Sequence, residues 1–307
     1  MIRLGYCCIN LTLQPDGVTS NRGMIKRKFQ ELGLARVSEL AILNLKDLKT
    51  IIQWNIDHQI YVYRMSSDLF PWMSEYRFED LPNFSEIQTL LLEIGDLVKS
   101  NDLRVGFHPG QFDVLASPNP QVVEKTIYDL DQHSRLLDMM GLDASPKYSL
   151  NIHIGGSYGD KREALNRFCN NFTLLSSSTR ARLVVENDDK ESQYSVVDLH
   201  NRVFNDIGCP ITFDHFHHTL CTGGVSAEHA AKLAASTWST FTPLQHFSTS
   251  KKIYEDSSVV NRSHSDIIWE PIPLYGFSTD IELEVKLKDL ALLKYREGQL
   301  IDSQFDI

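Results

Sequence analysis

The sequence predicts an α/β protein of the (β/α)₈ TIM-barrel class, and three observations carry that prediction. Short β-like runs alternate with longer stretches of helical period almost from end to end of the 307 residues. Eight such runs can be found, the number a closed barrel needs on a chain of roughly 250 residues or more. Polar residues gather at the carboxyl ends of nearly all eight, and only in a closed barrel do those ends converge on one spot. An open doubly wound sheet would give the same local alternation without that convergence.

Taken in order, the predicted strands are 3–6, 60–64, 104–108, 148–153, 182–186, 211–214, 244–248 and 281–285. The first helix is expected over 45–58, where Leu45, Leu48, Ile51 and Ile52 fall on one stripe. Further helices are expected over 85–100, 121–140, 161–175, 196–207 and 227–238, and a last one over 287–296 stops at Gly298, a common terminator. In the eighth strand Glu282 and Glu284 alternate with Ile281, Leu283 and Val285, so both carboxylates should face the lumen. The polar stretch 248–266 is longer than most barrel loops and is expected over the active face. No Pro/Gly/Ser-rich linker divides the chain, which reads as a single domain over 1–298 with a short polar tail at 299–307.

Composition narrows the function classes. Hydrophobic residues at 42% and charged residues at 23% are globular proportions, which excludes a largely disordered chain. Lys plus Arg is 30 and Asp plus Glu is 40, a formal charge of −10, and no polybasic arm announces a membrane or nucleic-acid partner. That balance does not exclude DNA, because carboxylates gathered around divalent metals are neutralised there. Five cysteines, an odd count with no CxxC pair, indicate neither a disulfide scaffold nor a zinc knuckle. With no signal-peptide pattern and no apolar run near the roughly 20 residues of a membrane span, a soluble cytoplasmic protein is expected.

The chemistry-bearing residues sit at the strand ends. The third strand ends in His108, the fourth in His153, the fifth in Glu186, the sixth in Asp214 with His217 just beyond, the seventh in His246 and the eighth in Glu284. Imidazole and carboxylate groups arriving singly from successive strands are what a multinuclear divalent-metal site needs, because no one strand can surround an ion. Asp214 and His217 share one strand end, where a short turn can aim both inward, while His215 and His218 suit packing equally well. Glu186, Asp214 and His246 are placed at the catalytic centre. Such a cluster serves phosphoryl hydrolysis and sugar isomerisation alike, so the loops must separate them. Arg22 and Lys26 lie in the one locally basic segment at the barrel rim and are candidate DNA contacts, a solvated helix face being the competing reading. Gly110 lets the chain turn and present Gln111 and Phe112 at a tip, an amide and an aromatic suited to wedge into a base stack. The competing reading is that Phe112 caps the barrel core.

Six segments, GYCCINLTL, RMSSDLFPW, HPGQF, NIHIGGSYGDK, VVENDD and DHFHH, resemble in order the UV damage endonuclease family over about residues 3 to 290. That family is similar in turn to endonuclease IV and to xylose-isomerase-like barrels, the fold the resemblance implies. The resemblance implies a metal-dependent nuclease, typically with manganese, that nicks DNA immediately 5′ of cyclobutane pyrimidine dimers and 6-4 photoproducts in UV-damaged double-stranded DNA. It implies two or three ions, with zinc or magnesium as alternatives to manganese, held by the seven strand-end residues already chosen. It also implies lesion-pocket roles for Tyr6 and Asn10, a probing pair in Gln111 and Phe112, where the family often has Tyr at the second position, and a phosphate contact for His264. A monomer acting in the cytoplasm, on the nucleoid of a prokaryote, is the expected setting. Two positions depart from the family. Asp68 stands where some members place a ligating His, and Leu244 stands where the family can carry a lysine modified to a carbamate ligand. Asp68 is therefore a candidate oxygen ligand, whereas leucine cannot ligate. The alternatives are an abasic-site endonuclease of the endonuclease IV type, a sugar isomerase, and a non-catalytic damage-binding relative.

Overall fold

The computed structural model describes residues 2–298, so the tail expected at 299–307 lies outside the described residues. Its strands are β1 Ile2–Cys7, β2 Val62–Met65, β3 Arg104–Phe107, β4 Leu150–Ile152, β5 Leu183–Glu186, β6 Ile211–Asp214, β7 Leu244–Phe247 and β8 Thr279–Leu283. They are parallel and close in sequence order, with β8 returning to β1 so that Gly5 lies opposite Glu282 and Tyr6 opposite Leu283. The predicted barrel is the fold.

The two-residue period of a strand sorts side chains between lumen and helix layer. Met65, Phe107, Leu150, Val185, Phe213, Phe247 and Leu283 share one parity around the ring and enter the large core between strands and helices. Arg64, Asn151, Glu186, Asp214, His246 and Glu282 share the other and point into the lumen. One layer down, Val62, Val184 and Leu244 form a separate apolar cluster with Trp238. That small apolar floor separates the charged groups at the carboxyl end of the barrel from those at the other end.

Most helices fall close to their predicted places: Phe84–Ser100, Pro120–Met139, Lys161–Phe172, Ala227–Ser236 and Lys288–Arg296. The first differs. It runs Lys26–Asp57, with a break at Gly33 where φ is 58°. Its first turns carry no apolar stripe, and burial begins only at Val37, so hydrophobic period alone reports the second half. The segment expected as one helix over 196–207 is Val196–Leu199, a π-helical turn His200–Phe204 and Asn205–Ile207, opened by a Ser195/Asp198 capping box. β8 begins at Thr279 rather than at 281, because Asp280, a poor strand former by composition, is held in the lumen by Arg3 and Arg104. Among the described residues, no helix is long and apolar enough to cross a membrane.

Candidate metal centre

Glu186, the last residue of β5, is 1% exposed and stands among four imidazoles. His246 Nδ1 lies 3.1 Å and His108 Nε2 3.3 Å from its Oε2, and His217 Nδ1 lies 3.2 Å from its Oε1. His153 Nε2 is 3.9 Å away. Three sets place ligand atoms within 4.8 Å of one another: His108 with His153 and Glu186; His217 with His264 and Glu284; and Glu186 with Asp214, His217 and Glu284. His246 is outside those sets. It is fully buried beneath them, with Nε2 3.2 Å from Glu282 and Nδ1 3.3 Å from Glu284.

Local structure aims each group. Asp214 is the N-cap of the turn His215–Leu220: its Oδ1 accepts from the His217 amide at 2.6 Å, which points the His217 ring back over the strand end. His217 Nδ1 donates to the Asn187 carbonyl at 2.9 Å, so the lone pair available for a ligand is on Nε2. Asn187 fixes Asp214 in turn, pairing with its backbone N–H at 2.9 Å and C=O at 3.0 Å. Asp188 Oδ1 sits 2.9 Å from His153 Nδ1, and Asn151 donates to Glu186 Oε2. On the opposite wall Arg64 reaches Glu284 through Nη2, Glu282 through Nε at 3.2 Å, and the Cys7 sulfur at 2.6 Å.

Sequence reasoning missed Arg64, Asn151, Asn187 and Asp188. The signal was present for two of them, since Arg64 and Asn151 share the lumen parity of the strand-end acids and imidazoles.

The donor set fits hard divalent cations. Glu186 Oε1, Asp214 Oδ2 and both ring nitrogens of His246 are buried without a hydrogen bond of acceptable geometry, and buried polar atoms ordinarily have partners. Burial alone would raise the Glu186 carboxyl, but His246 and His153, with the bond from His108 and the neighbouring His217 ring, hold it well below the usual range. Burial opposes the charged form of His217 and His246 too, and Asp214, Glu186 and Glu284 outweigh it, holding both well above the ordinary histidine value. Asp214 is raised, chiefly by burial, despite His217. Without ions, these groups neutralise one another with protons; a cation takes the protons' place.

Among the other expected residues, His264 joins this centre: its ring accepts from or donates to Ser248 Oγ at 2.8 Å and lies 3.8 Å from Glu284. Glu282, the less favoured of the β8 pair, lies deeper, against Arg64 and His246. His215 is a packing residue, bonded to Gln245 and pushed by burial down to about 4. Asp68 is not brought to the cluster; it is exposed and lines a neighbouring cavity with Gly110 and Phe112. Leu244 is 1% exposed in the apolar floor. Tyr6 and Asn10 depart from expectation. Tyr6 has the outward parity, its hydroxyl donates to Asn55 at 2.7 Å and accepts from Asn10 at 2.8 Å, and both are buried against the first helix. Gln111 and Phe112 are exposed together, Phe112 at 81%, so this ring does not cap the core. Arg22 is engaged by Asp47 and by the Thr19 and Gly17 carbonyls, and Lys26 is exposed at the start of the first helix.

A family profile described as UV-endonuclease UvdE matches residues 2–304. The chain belongs to this family. A UV DNA damage endonuclease of Clostridium perfringens is 32% identical over 95% of this chain and 69% of its own length. The crystal structure of SacUVDE superposes with a TM-score of 0.83 at 31% identity, covering 98% of this chain and 100% of that one. Endonuclease IV from Thermus thermophilus shares the barrel at a TM-score of 0.56 and 11% identity, over 97% of this chain and 98% of that one.

Proposed function

We propose that this chain incises UV-damaged double-stranded DNA by metal-dependent hydrolysis of the phosphodiester immediately 5′ of a photolesion. The observation that carries the reading is the Glu186 carboxylate among His108, His153, His217 and His246, with Asp214 and Glu284 completing the set, at the carboxyl mouth of a barrel of the UvdE family.

Divalent ions held by these residues, manganese first, with zinc or magnesium as alternatives, would polarise a phosphoryl group and lower the pKa of water. The chain supplies the rest. Asn151, Asn187 and Asp188 lock Glu186, Asp214, His217 and His153 in orientation, and Arg64 holds Glu284. The centre lies in an open cavity of about 400 Å³ lined by His108, His153, Glu186, His217, His264 and Glu284, room for a phosphodiester. Drawing a lesion toward the cavity from a distorted duplex costs least where damage has weakened stacking. Gln111 and Phe112, exposed beside that mouth, are the groups able to enter the opened stack.

The test is incision of an end-labelled duplex carrying one thymine dimer, after chelation and again with Mn²⁺, beside undamaged and abasic duplexes. A nick directly 5′ of the dimer that disappears on chelation and returns with Mn²⁺ is expected. Cleavage of the abasic duplex alone, or cleavage indifferent to chelation, would refute the reading.

A further inference from the structure

The basic run of the sequence is largely engaged by the chain's own acids and carbonyls. Arg22 is occupied by Asp47 and two carbonyls, and Arg27 and Lys28 both pair with Glu31. Two lysines elsewhere have no such use. Lys286 and Lys288, just past β8, line the cavity that holds His108, Glu186, His217, His264 and Glu284. Neither side chain makes an ion pair or hydrogen bond among the described residues. Cys7, on β1, lines the same cavity.

Their backbone is fixed from both sides. The Lys286 N–H donates to the Ser265 carbonyl at 3.0 Å and the Leu287 N–H to the Asp266 carbonyl at 2.9 Å. On the other flank Asp289 accepts from the Leu11 and Thr12 amides at 2.6 and 3.0 Å and from the Thr12 hydroxyl at 2.6 Å. Between these anchors Lys288 sits at φ 47°, a left-handed conformation that a lysine adopts only when its surroundings impose it. The backbone that carries both lysines to the cavity rim is thus fixed, by a segment that accepts strain for the placement.

We infer that Lys286 and Lys288 form a phosphate-binding wall of the active cavity, gripping the backbone phosphate of the DNA strand that faces the carboxylate and imidazole cluster. The inference rests on the reading that this cavity receives a phosphodiester. An ammonium contact neutralises a phosphate charge and releases its counterion, so each contact adds about 0.9 to the steepness of log affinity against log salt. A lysine serving only the fold adds nothing to that slope.

The experiment is kcat/KM of the metal-loaded full chain across a KCl series, for wild type, Lys286→Gln, Lys288→Gln, the corresponding Arg variants and Arg22→Gln. Each Gln variant is expected to flatten the slope by about 0.9, each Arg variant to restore it, and Arg22→Gln to leave it unchanged. Unchanged slopes in both lysine variants, or Arg variants as flat as the Gln variants, would overturn the proposal. The slope is read on whichever duplex the wild type cuts, dimer or abasic, so a failure of the photolesion reading and a failure of the lysine wall give different results.

Discussion

Glu186→Gln keeps the shape of the side chain and removes the charge on which four imidazoles converge. Loss of an outer partner of a ligand typically costs 10- to 100-fold, and loss of a shared central carboxylate should exceed that. Incision is expected to fall more than about a hundredfold, with bound metal per chain falling in parallel. A variant with full metal content and near-normal rate would remove Glu186 from the centre. Phe112 is the opposite kind of residue: with 81% of its surface exposed it supports little of the fold. Phe112→Ala should leave the melting temperature nearly unchanged. If the ring stacks in the opened duplex, preference for the dimer over undamaged DNA should weaken by about 1–3 kcal/mol. Competition binding with the two duplexes measures that preference, and an unaltered ratio would return Phe112 to the status of an incidental surface ring.

At the scale of elements, the loop bearing Gln111 and Phe112 is tied to the helix Pro120–Met139 by the Val114 N–H, which donates to Thr126 Oγ1 at 3.0 Å, and half-buried Asp113 lies beside Asp129 of that helix. Burial, then Asp129, raises the Asp113 carboxyl from 3.8 to about 7, while His133 works the other way. The folded chain therefore holds this proton more tightly than the unfolded chain. The resulting stability is complete below the unfolded value and is lost as pH rises through about 7. Asp113→Asn cannot ionise, so its stability relative to wild type should be higher at pH 8 than at pH 4, as read from paired urea titrations. A difference independent of pH would show that the carboxyl titrates normally. The sequence offered no hint of this pair, because it depends on which helix the loop folds against. It did reveal the seven strand-end acids and imidazoles, because a barrel delivers the end of every strand to the same mouth and chemistry repeats there. Tyr6 was expected in a lesion pocket on the family resemblance alone; the two-residue period turns it to the helix layer and leaves Cys7 facing the cavity. Lys286 and Lys288 escaped notice since they follow a strand whose limits, set by buried Asp280 pairs, lay earlier than its apolar run suggested.

The whole molecule divides its charges between the two ends of the barrel. At the carboxyl mouth the carboxylates and imidazoles are left with unpartnered atoms, a cost borne for binding. At the other end the charges satisfy one another. Asp280 on β8 accepts from Arg3 Nε and Nη2 on β1, both at 2.7 Å, and from Arg104 Nη1 on β3 at 2.9 Å, while Arg104 Nη2 donates to the Thr242 carbonyl ahead of β7 at 2.7 Å. One carboxylate thus ties together the strands on either side of the β1–β8 seam where the ring closes. Asp280 and Arg104 are 1% and 2% exposed, so Asp280→Asn leaves a guanidinium buried without its counter-ion. Breaking such a pair from one side costs about 3–5 kcal/mol, which should appear as a large fall in the urea midpoint. The apolar layer of Val62, Val184 and Leu244 separates this network from the metal centre. Well below its melting temperature, Asp280→Asn should therefore bind metal and cut DNA with kcat/KM within about twofold of wild type, as additivity of distant, independent sites requires. Glu186→Gln should show the reverse, lost cleavage with the barrel intact. If Asp280→Asn instead lost metal while fully folded, the two ends would be coupled through the floor, and the division between a stabilising end and a reactive end would fail.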